Sequence, residues 1–134
     1  MSRDFQVTFD AEDPAALLGF WCEVLGYRPE PLPEQTRAGL VAAGIDPATS
    51  GRLFAAAFDP DGVRPRLLAL RVPEGKTAKN RLHLDVRVGG PAAIGPEVER
   101  LVALGARHVA DFCEHGSTWA VLTDPEGNEF CVTG

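Results

Sequence analysis

Apolar and polar residues follow two different periods along the chain, and the two periods occur twice in the same order. The run FQVTF at residues 5–9 alternates with the two-residue period of a strand, and so does RLHLDVRV at residues 81–88. After each run, a segment with helical spacing of apolar residues begins near a proline and stops at a glycine, Gly26 or Gly105. The pattern predicts a strand followed by a helix in each half of the chain.

The two halves resemble copies of one unit. The helix starts DPAAL and GPAAI begin at Asp13 and Gly90, 77 residues apart, and the turn sequences DPDG and DPEG begin at Asp59 and Asp124, 65 residues apart. Repetition at a fixed offset predicts a repeated architecture. The smaller offset of the turns indicates that the first half holds a longer connection after its helix.

The remaining elements follow from apolar runs and turn residues. We predict that Leu17 and Trp21 lie on the apolar stripe of the first helix and that Leu82 and Leu84 lie on the opposite face of the strand at 81–88 from His83. Residues 29–50 have three prolines in their first five positions and few periodic apolar residues, so they are predicted to be irregular, with one short strand near 39–43. Further strands are predicted at 53–58, 67–72, 108–112, 118–123 and 129–133.

The predicted fold class is α+β. Each half is expected to form one βαβββ module, and the two modules are expected to pair with pseudo-two-fold symmetry into a curved, partly open, barrel-like sheet with its helices outside. The chain is interpreted as a single domain, residues 1–134, with modules at about 1–73 and 81–134. A polar segment at about 74–80 is the predicted linker.

Composition narrows the function classes. A chain of 134 residues with 45% hydrophobic content is globular, and a net charge of −6 argues against nucleic acid as a partner. No apolar run approaches the roughly 18 residues of a membrane span, and the first ten residues lack a signal-peptide core, so we expect a cytoplasmic protein without a membrane partner. Three cysteines at scattered positions do not suggest a disulfide framework.

Three segments carry a resemblance to a known family. DPAALLGFWCEVLGY at 13–27, RVPEGKTAKNRLHLDV at 71–86 and WAVLTDPEGNEFCVTG at 119–134 resemble the vicinal oxygen chelate superfamily. This superfamily includes glyoxalase I, bleomycin-resistance proteins and extradiol dioxygenases, and the middle segment is similar to a bacterial glyoxalase-like subgroup. The resemblance implies the two-module fold and a homodimer.

The resemblance also implies four metal-ligand positions, two from each half. They fall on Gln6, on or near Leu70, on His83 and on Cys131. Leu70 cannot bind a metal, and Cys131 stands where a glutamate is usual, so glyoxalase I activity and a full metal site are not expected. If a divalent metal is bound, its predicted ligands are Gln6, His83 and Cys131. Glu129 shares a strand face with Cys131, so a register shift of two residues would restore a carboxylate.

Polar residues are predicted to line a cavity between the modules. Asp85 lies on the same strand face as His83, roughly 6.5–7 Å along the strand, where it could orient the imidazole ring. The alternatives are that His83 is a structural, hydrogen-bonded group, that Cys131 is a small buried hydrophobe and that Gln6 and Thr8 simply face solvent. The predicted ligand-binding residues are Gln6, Thr8, Arg81, His83, Asp85 and Cys131.

Two other features have a structural and a functional interpretation. Lys76, Lys79 and Arg81 form either a solvated linker or an anion clamp in which Arg81 shares the strand face of His83. Trp21 and Trp119 are interpreted as core or cavity wall rather than as a platform for stacking.

Three functions are compatible with the sequence. The first is a binding protein of the bleomycin-resistance type, which holds a small organic molecule without a full metal site. The second is a metal-dependent lyase, isomerase or dioxygenase with a degenerate ligand set. The third is a non-catalytic domain whose pocket is regulatory or vestigial. The expected partners are a small-molecule ligand and a second copy of the chain.

Overall fold

Each half of the chain folds into a four-stranded mixed sheet and a helix that contacts it. The computed structural model describes residues 1–134. These residues form two compact units, residues 1–75 and 76–134. The α+β class and the two βαβββ modules predicted from the internal repeat are therefore confirmed. No helix in either unit is long and apolar enough to cross a membrane.

The first unit contains four strands and two α-helices. Its elements are β1 (Val7–Ala11), α1 (Pro14–Leu25), β2 (Arg28–Pro29), α2 (Glu34–Ala42), a 3-10 helix (Pro47–Arg52), β3 (Phe54–Phe58) and β4 (Leu67–Arg71). The strand order is β1-β4-β3-β2, and β1 and β4 form the parallel pair. Buried residues of α1 form the core of this unit against β3 and β4.

Helix α1 begins and ends where the sequence predicts. The Asp13 side chain accepts a hydrogen bond from the backbone N–H of Ala16 at 3.1 Å and caps the first turn. Gly26 ends the helix with a φ of 70°, a conformation that costs little without a Cβ atom. Leu17 and Trp21 are each only 1% exposed, so the predicted apolar stripe is buried.

The prediction of a strand near residues 39–43 is wrong. Helix α2 covers this stretch, and a 3-10 helix follows whose first turn is capped by Asp46 through the backbone N–H of Ala48. Helix α2 buries Leu40 alone, so its sequence carries almost no helical hydrophobic period. It is instead built largely from residues with good helix propensity.

The second unit repeats the arrangement with one α-helix. Its elements are β5 (Asp85–Arg87), a 3-10 helix (Pro91–Ala93), α3 (Ile94–Ala103), β6 (Arg107–Glu114), β7 (Ser117–Thr123) and β8 (Glu129–Thr133). The strand order is β5-β8-β7-β6, and β5 and β8 form the parallel pair. The order of strands is therefore the same as in the first unit.

Strand β5 is shorter than the alternating run at 81–88 predicts. Leu82 lies before the strand, and its side chain is 73% exposed. Before this strand, the backbone N–H of Asn80 donates to the Glu129 carboxylate at 2.9 Å and not to a backbone carbonyl of a neighbouring strand. Backbone pairing begins at Leu84, whose carbonyl accepts from the N–H of Cys131 at 2.9 Å. His83 therefore lies just before the regular strand.

The DPDG and DPEG sequences form turns, as predicted. The buried Asp59 carboxylate accepts backbone N–H groups from Asp61 and Arg64 at 3.0 and 2.9 Å. The buried Asp124 carboxylate accepts those of Glu126 and Asn128, both at 3.0 Å. Each aspartate satisfies the backbone of its own turn, which explains why both carboxylates are buried.

Candidate functional site

A cavity of about 580 Å³ lies on one face of the second unit's sheet. Its polar side is formed by residues of or near β5 and β8, notably His83, Asp85 and Cys131. Its apolar side is formed by Phe112 on β6 and Trp119 on β7. The cavity therefore combines titratable groups with an aromatic wall.

Strand register explains why these side chains share a face. Asp85 pairs with Cys131, Cys131 pairs with Val121, and Phe112 pairs with Trp119. Neighbouring strands lie about 4.8 Å apart, and paired residues point to the same side of a sheet. The polar group on β5 and the aromatic pair on β6 and β7 therefore lie towards opposite edges of the sheet.

His83, Asp85 and Cys131 form a compact cluster. The Nδ1 atom of His83 lies 3.2 Å from Oδ1 of Asp85, and the possible ligand atoms of all three residues lie within 4.8 Å of one another. Burial raises the pKa of the Cys131 thiol, and the charge of Asp85 and a hydrogen bond to it raise this pKa further. The thiol is therefore protonated at neutral pH and donates to the Asp85 carboxylate.

Glu129 lies in the same cavity but is held by the preceding segment of the chain. Its Oε1 atom lies 3.1 Å from Nζ of Lys76, and its Oε2 atom accepts the backbone N–H of Asn80 at 2.9 Å. The hydrogen bond from Asn80, together with Lys76, lowers the pKa of Glu129 to about 2. Cys131, not Glu129, has its donor atom in the cluster with Asp85, so the restored carboxylate considered for a shifted register is not observed.

The predicted anion clamp is only partly placed at this cavity. Lys79 lines the cavity, whereas Arg81 is exposed and is not among the lining residues. Lys76 is bound to Glu129 and to the carbonyl of Ala78, at 3.1 and 2.6 Å. A role for Arg81 in ligand binding stays a prediction.

Gln6 and Thr8 belong to the first unit. The side-chain oxygen of Gln6 accepts a hydrogen bond from Nη1 of Arg66 at 3.0 Å, and Thr8 is exposed on β1. Arg66 in turn forms a bidentate ion pair with Glu30, at 2.7 and 2.9 Å. The predicted roles of Gln6 and Thr8 in ligand binding stay predictions.

The sequence interpretation did not pair Phe112 with Trp119. The pairing depends on the turn between β6 and β7, where His115 and Gly116 both have positive φ angles, 49° and 78°. Such a two-residue turn fixes which residues of a hairpin face each other. The His-Gly dipeptide was the signal that could have given the register, and it places His115 in the turn itself.

The cluster can be tested as a metal site from its donor atoms. One imidazole nitrogen, one carboxylate oxygen and one thiol sulfur suit Zn²⁺, whose catalytic sites usually have three protein ligands, better than Mn²⁺ or Mg²⁺. All three donors come from the second unit. In the first unit, the pair in the position of Asp85 and Cys131 is Thr8 and Leu68, which offers only a hydroxyl group.

Comparison with known proteins identifies the family. The sequence model of the glyoxalase-like domain matches residues 6–133. The chain belongs to this family. The match confirms the resemblance to the vicinal oxygen chelate superfamily, while no curated protein sequence matches the chain.

Solved structures share the fold of this glyoxalase-like domain. A possible glyoxalase from Bacillus cereus is 16% identical, with both chains covered in full and a TM-score of 0.68. A glyoxalase/bleomycin resistance protein/dioxygenase family enzyme from Burkholderia phytofirmans is 18% identical, with 96% of this chain and 94% of that chain covered and a TM-score of 0.67. The fosfomycin resistance protein FosX of Listeria monocytogenes, solved with Mn(II) and a dihydroxypropylphosphonic acid, is 10% identical, with 99% and 90% covered and a TM-score of 0.69. At these identities the similarity establishes the fold alone.

Proposed function

We propose that this glyoxalase-like domain binds a small organic molecule in the cavity of its second unit, without a full metal site. The observation that carries the proposal is the cavity of about 580 Å³ with an aromatic wall and a polar cluster on one sheet face. Ligand pockets typically measure about 300–1,000 Å³ and combine apolar walls with a few polar groups that orient the ligand. The cavity meets this description in both size and lining.

The polar cluster is suited to hydrogen bonding with a ligand. When Asp85 accepts the Nδ1 proton of His83, the Nε2 atom of the neutral ring is left as an acceptor for a ligand donor. The neutral, buried Cys131 thiol supports Asp85 from the neighbouring strand. His83 would therefore provide the directional contact and Asp85 its orientation.

The cavity contains a possible proton acceptor, Glu129, and a possible nucleophile, Cys131, but neither group has a pKa that suits the role. Glu129, with a pKa of about 2, is a weak proton acceptor at neutral pH. Cys131 has a raised pKa, and a protonated thiol is a weak nucleophile. These properties favour binding over proton transfer or covalent catalysis.

A metal-dependent activity is the second candidate, because three donor atoms lie within 4.8 Å of one another. His83, Asp85 and Cys131 would hold the ion, and Cys131 would have to lose its proton, so the affinity would rise with pH. A bound divalent ion would polarise a substrate oxygen as a Lewis acid. The thiol favours a softer ion than the Mn(II) bound by the Listeria protein.

One experiment separates the two candidates. The wild type, His83→Ala and His108→Ala are each purified without an affinity tag or chelator. Each protein is analysed for bound metal and is then screened against a library of small molecules by thermal shift. His108 is the matched control, because it pairs with Asp111 at 2.8 Å but does not line the cavity. A ligand at a hundredfold excess over its Kd stabilises the folded state by roughly 2.7 kcal/mol.

We expect metal-free protein whose ligand-induced shifts are reduced by His83→Ala and unchanged by His108→Ala. A stoichiometric ion that His83→Ala removes would contradict the first candidate and support the second. Absence of any His83-dependent ligand or metal would leave a domain whose cavity has no binding role.

We also propose that the chain forms a homodimer, as the family resemblance implies. One chain has a mass of 14.3 kDa. Light scattering at working concentration should give twice this mass. A monomer mass would contradict this proposal and would leave the binding proposal unaffected.

A further inference from the structure

We propose that Trp119, Phe112 and Glu114 form a subsite for a planar aromatic group that carries a positive charge. The inference rests on the proposed small-molecule function and names the class of ligand. It concerns the aromatic side of the cavity, away from the cluster of His83 and Asp85.

The two aromatic rings are nearly parallel and stack on each other at the cavity. The Phe112 and Trp119 ring centroids are 5.4 Å apart, and the ring planes differ by 16°. Phe112 is 39% exposed, so the pair lies at the surface of the unit and not in its core. Trp21 makes the contrast: it also stacks, on Phe9, but is 1% exposed and fills the core of the first unit.

The stacked pair is already oriented for a flat ligand. Phe112 and Trp119 face each other on β6 and β7, which pair continuously from Ala110 to Glu114, so the rings lose little freedom when a ligand binds. Stacking on aromatic side chains is a recurrent way to hold planar bases in nucleic-acid complexes. A planar aromatic group, added to this stack as a further ring, is therefore the ligand shape that the pair favours.

The charge next to the aromatic pair is negative. Glu114 lines the cavity two residues from Phe112, on the same face of β6, and forms no salt bridge. The other carboxylates of the cavity have partners, since Asp85 bonds to His83 and Glu129 to Lys76. A cation held over the rings gains from the electron-rich ring faces and from the Glu114 carboxylate together.

The test uses three bicyclic aromatic probes of similar size and different charge: N-methylquinolinium, quinoline and naphthoate. Each is titrated into the full chain at mildly alkaline pH, with binding followed by calorimetry and by tryptophan fluorescence. Because Trp21 is buried in the first unit, a change in fluorescence reports on Trp119. Trp119→Phe keeps the aromatic surface but should abolish the fluorescence change.

We expect affinity to fall from the cation to the neutral probe to the anion. Trp119→Leu should weaken binding of the cation about fivefold or more, whereas Trp119→Phe should have a smaller effect. Glu114→Gln should weaken binding of the cation about two- to fivefold and leave binding of the neutral probe unchanged. Glu99→Gln, on the exposed surface of α3, is the matched charge control and should change neither. Circular dichroism checks that every variant is folded.

Equal or tighter binding of naphthoate would overturn the inference. So would unchanged binding of the cation by a folded Trp119→Leu variant or by a folded Glu114→Gln variant. So would the failure of all three probes to bind. If other library compounds still give His83-dependent thermal shifts in that case, the ligand class is wrong and the proposed function stands. If no compound binds at all, the proposed function fails with it.

Discussion

The two units share a strand order but differ in the chemistry of equivalent positions. In the first unit the parallel strand pair presents Thr8 opposite Leu68, and in the second it presents Asp85 opposite Cys131. The same backbone register therefore holds a hydroxyl and an aliphatic side chain in one unit, and a carboxylate and a thiol in the other. The comparison teaches that the repeat specifies a scaffold, while the candidate binding groups are concentrated in one copy.

The units also differ in how they use their charged side chains. In the first, Arg66 bonds to both Glu30 and Gln6, so the polar side chain just before β1 is tied to an ion pair. In the second, the ion pair of Glu129 and Lys76 fixes the segment before β5 and leaves His83 to bond with Asp85. A ligand is therefore expected to find available polar groups in the second unit and not around Gln6.

The largest expected effect is on the free energy of unfolding, and its measurement tests whether helices α1 and α3 are equivalent. Leu17 on α1 and Ile94 at the start of α3 occupy corresponding positions in the repeat and are 1% and 6% exposed. Replacement of either by alanine should reduce the free energy of unfolding by about 2–5 kcal/mol, because each leaves a cavity in its own core. Urea denaturation of both variants measures this; a neutral Leu17→Ala would refute the assigned core of the first unit.

The ion pair of the second unit should have a moderate effect. Glu129→Gln removes the charge that Lys76 neutralises and weakens the acceptor for Asn80, which should cost about 1–2 kcal/mol of unfolding free energy. Glu99→Gln serves as a surface control and should stay within about 0.5 kcal/mol. Equal stabilities of the two variants, measured by urea denaturation, would show that the segment before β5 does not depend on Glu129.

A binding comparison tests which unit carries the ligand. His83→Ala should weaken the affinity of a library ligand about fivefold, because one hydrogen bond contributes about 1 kcal/mol. Gln6→Ala, at the corresponding position of the first unit, should weaken it less, since Gln6 is already bonded to Arg66. Calorimetry on both variants decides; a larger loss for Gln6→Ala would reverse the assignment of the site.

A further expected effect is on the pH dependence of stability. The folded pKa of Glu129 is about 2, below its ordinary value of 4.5, so the hydrogen bond from Asn80 and the ion pair with Lys76 stabilise the protein above pH 4.5. This contribution is lost as the pH falls from about 4.5 towards 2, because the unfolded chain binds the proton first. Urea denaturation across this range should give a shallower acid dependence for Glu129→Gln than for the wild type. Identical slopes would contradict the lowered pKa.

Elements that depend on local hydrogen bonds and on apolar periodicity could be predicted from the sequence. The Asp13 cap, the Gly26 stop, the two aspartate turns and the last hairpin are all contained within short segments, and each was found as predicted. Helix α2 was missed for the converse reason. It buries one residue, so the period that identifies a helix is absent from its sequence.

The candidate site could be predicted from the sequence only in part. His83, Asp85 and Cys131 could be grouped because the resemblance and the strand alternation pointed to them. Neither principle shows that Glu129 is bound by Lys76, 53 residues away, and by the backbone of Asn80, or that Leu82 is exposed.

Which side chains face one another across strands depends on strand pairing in the folded protein. The stacking of Phe112 on Trp119 depends on the register of β6 and β7, and the pairing of Asp85 with Cys131 on the register of β5 and β8. A shift of one residue in either pairing would turn the side chains of a strand to the opposite face of the sheet. The sequence therefore supplied the groups, and the strand pairing decided which of them share a cavity.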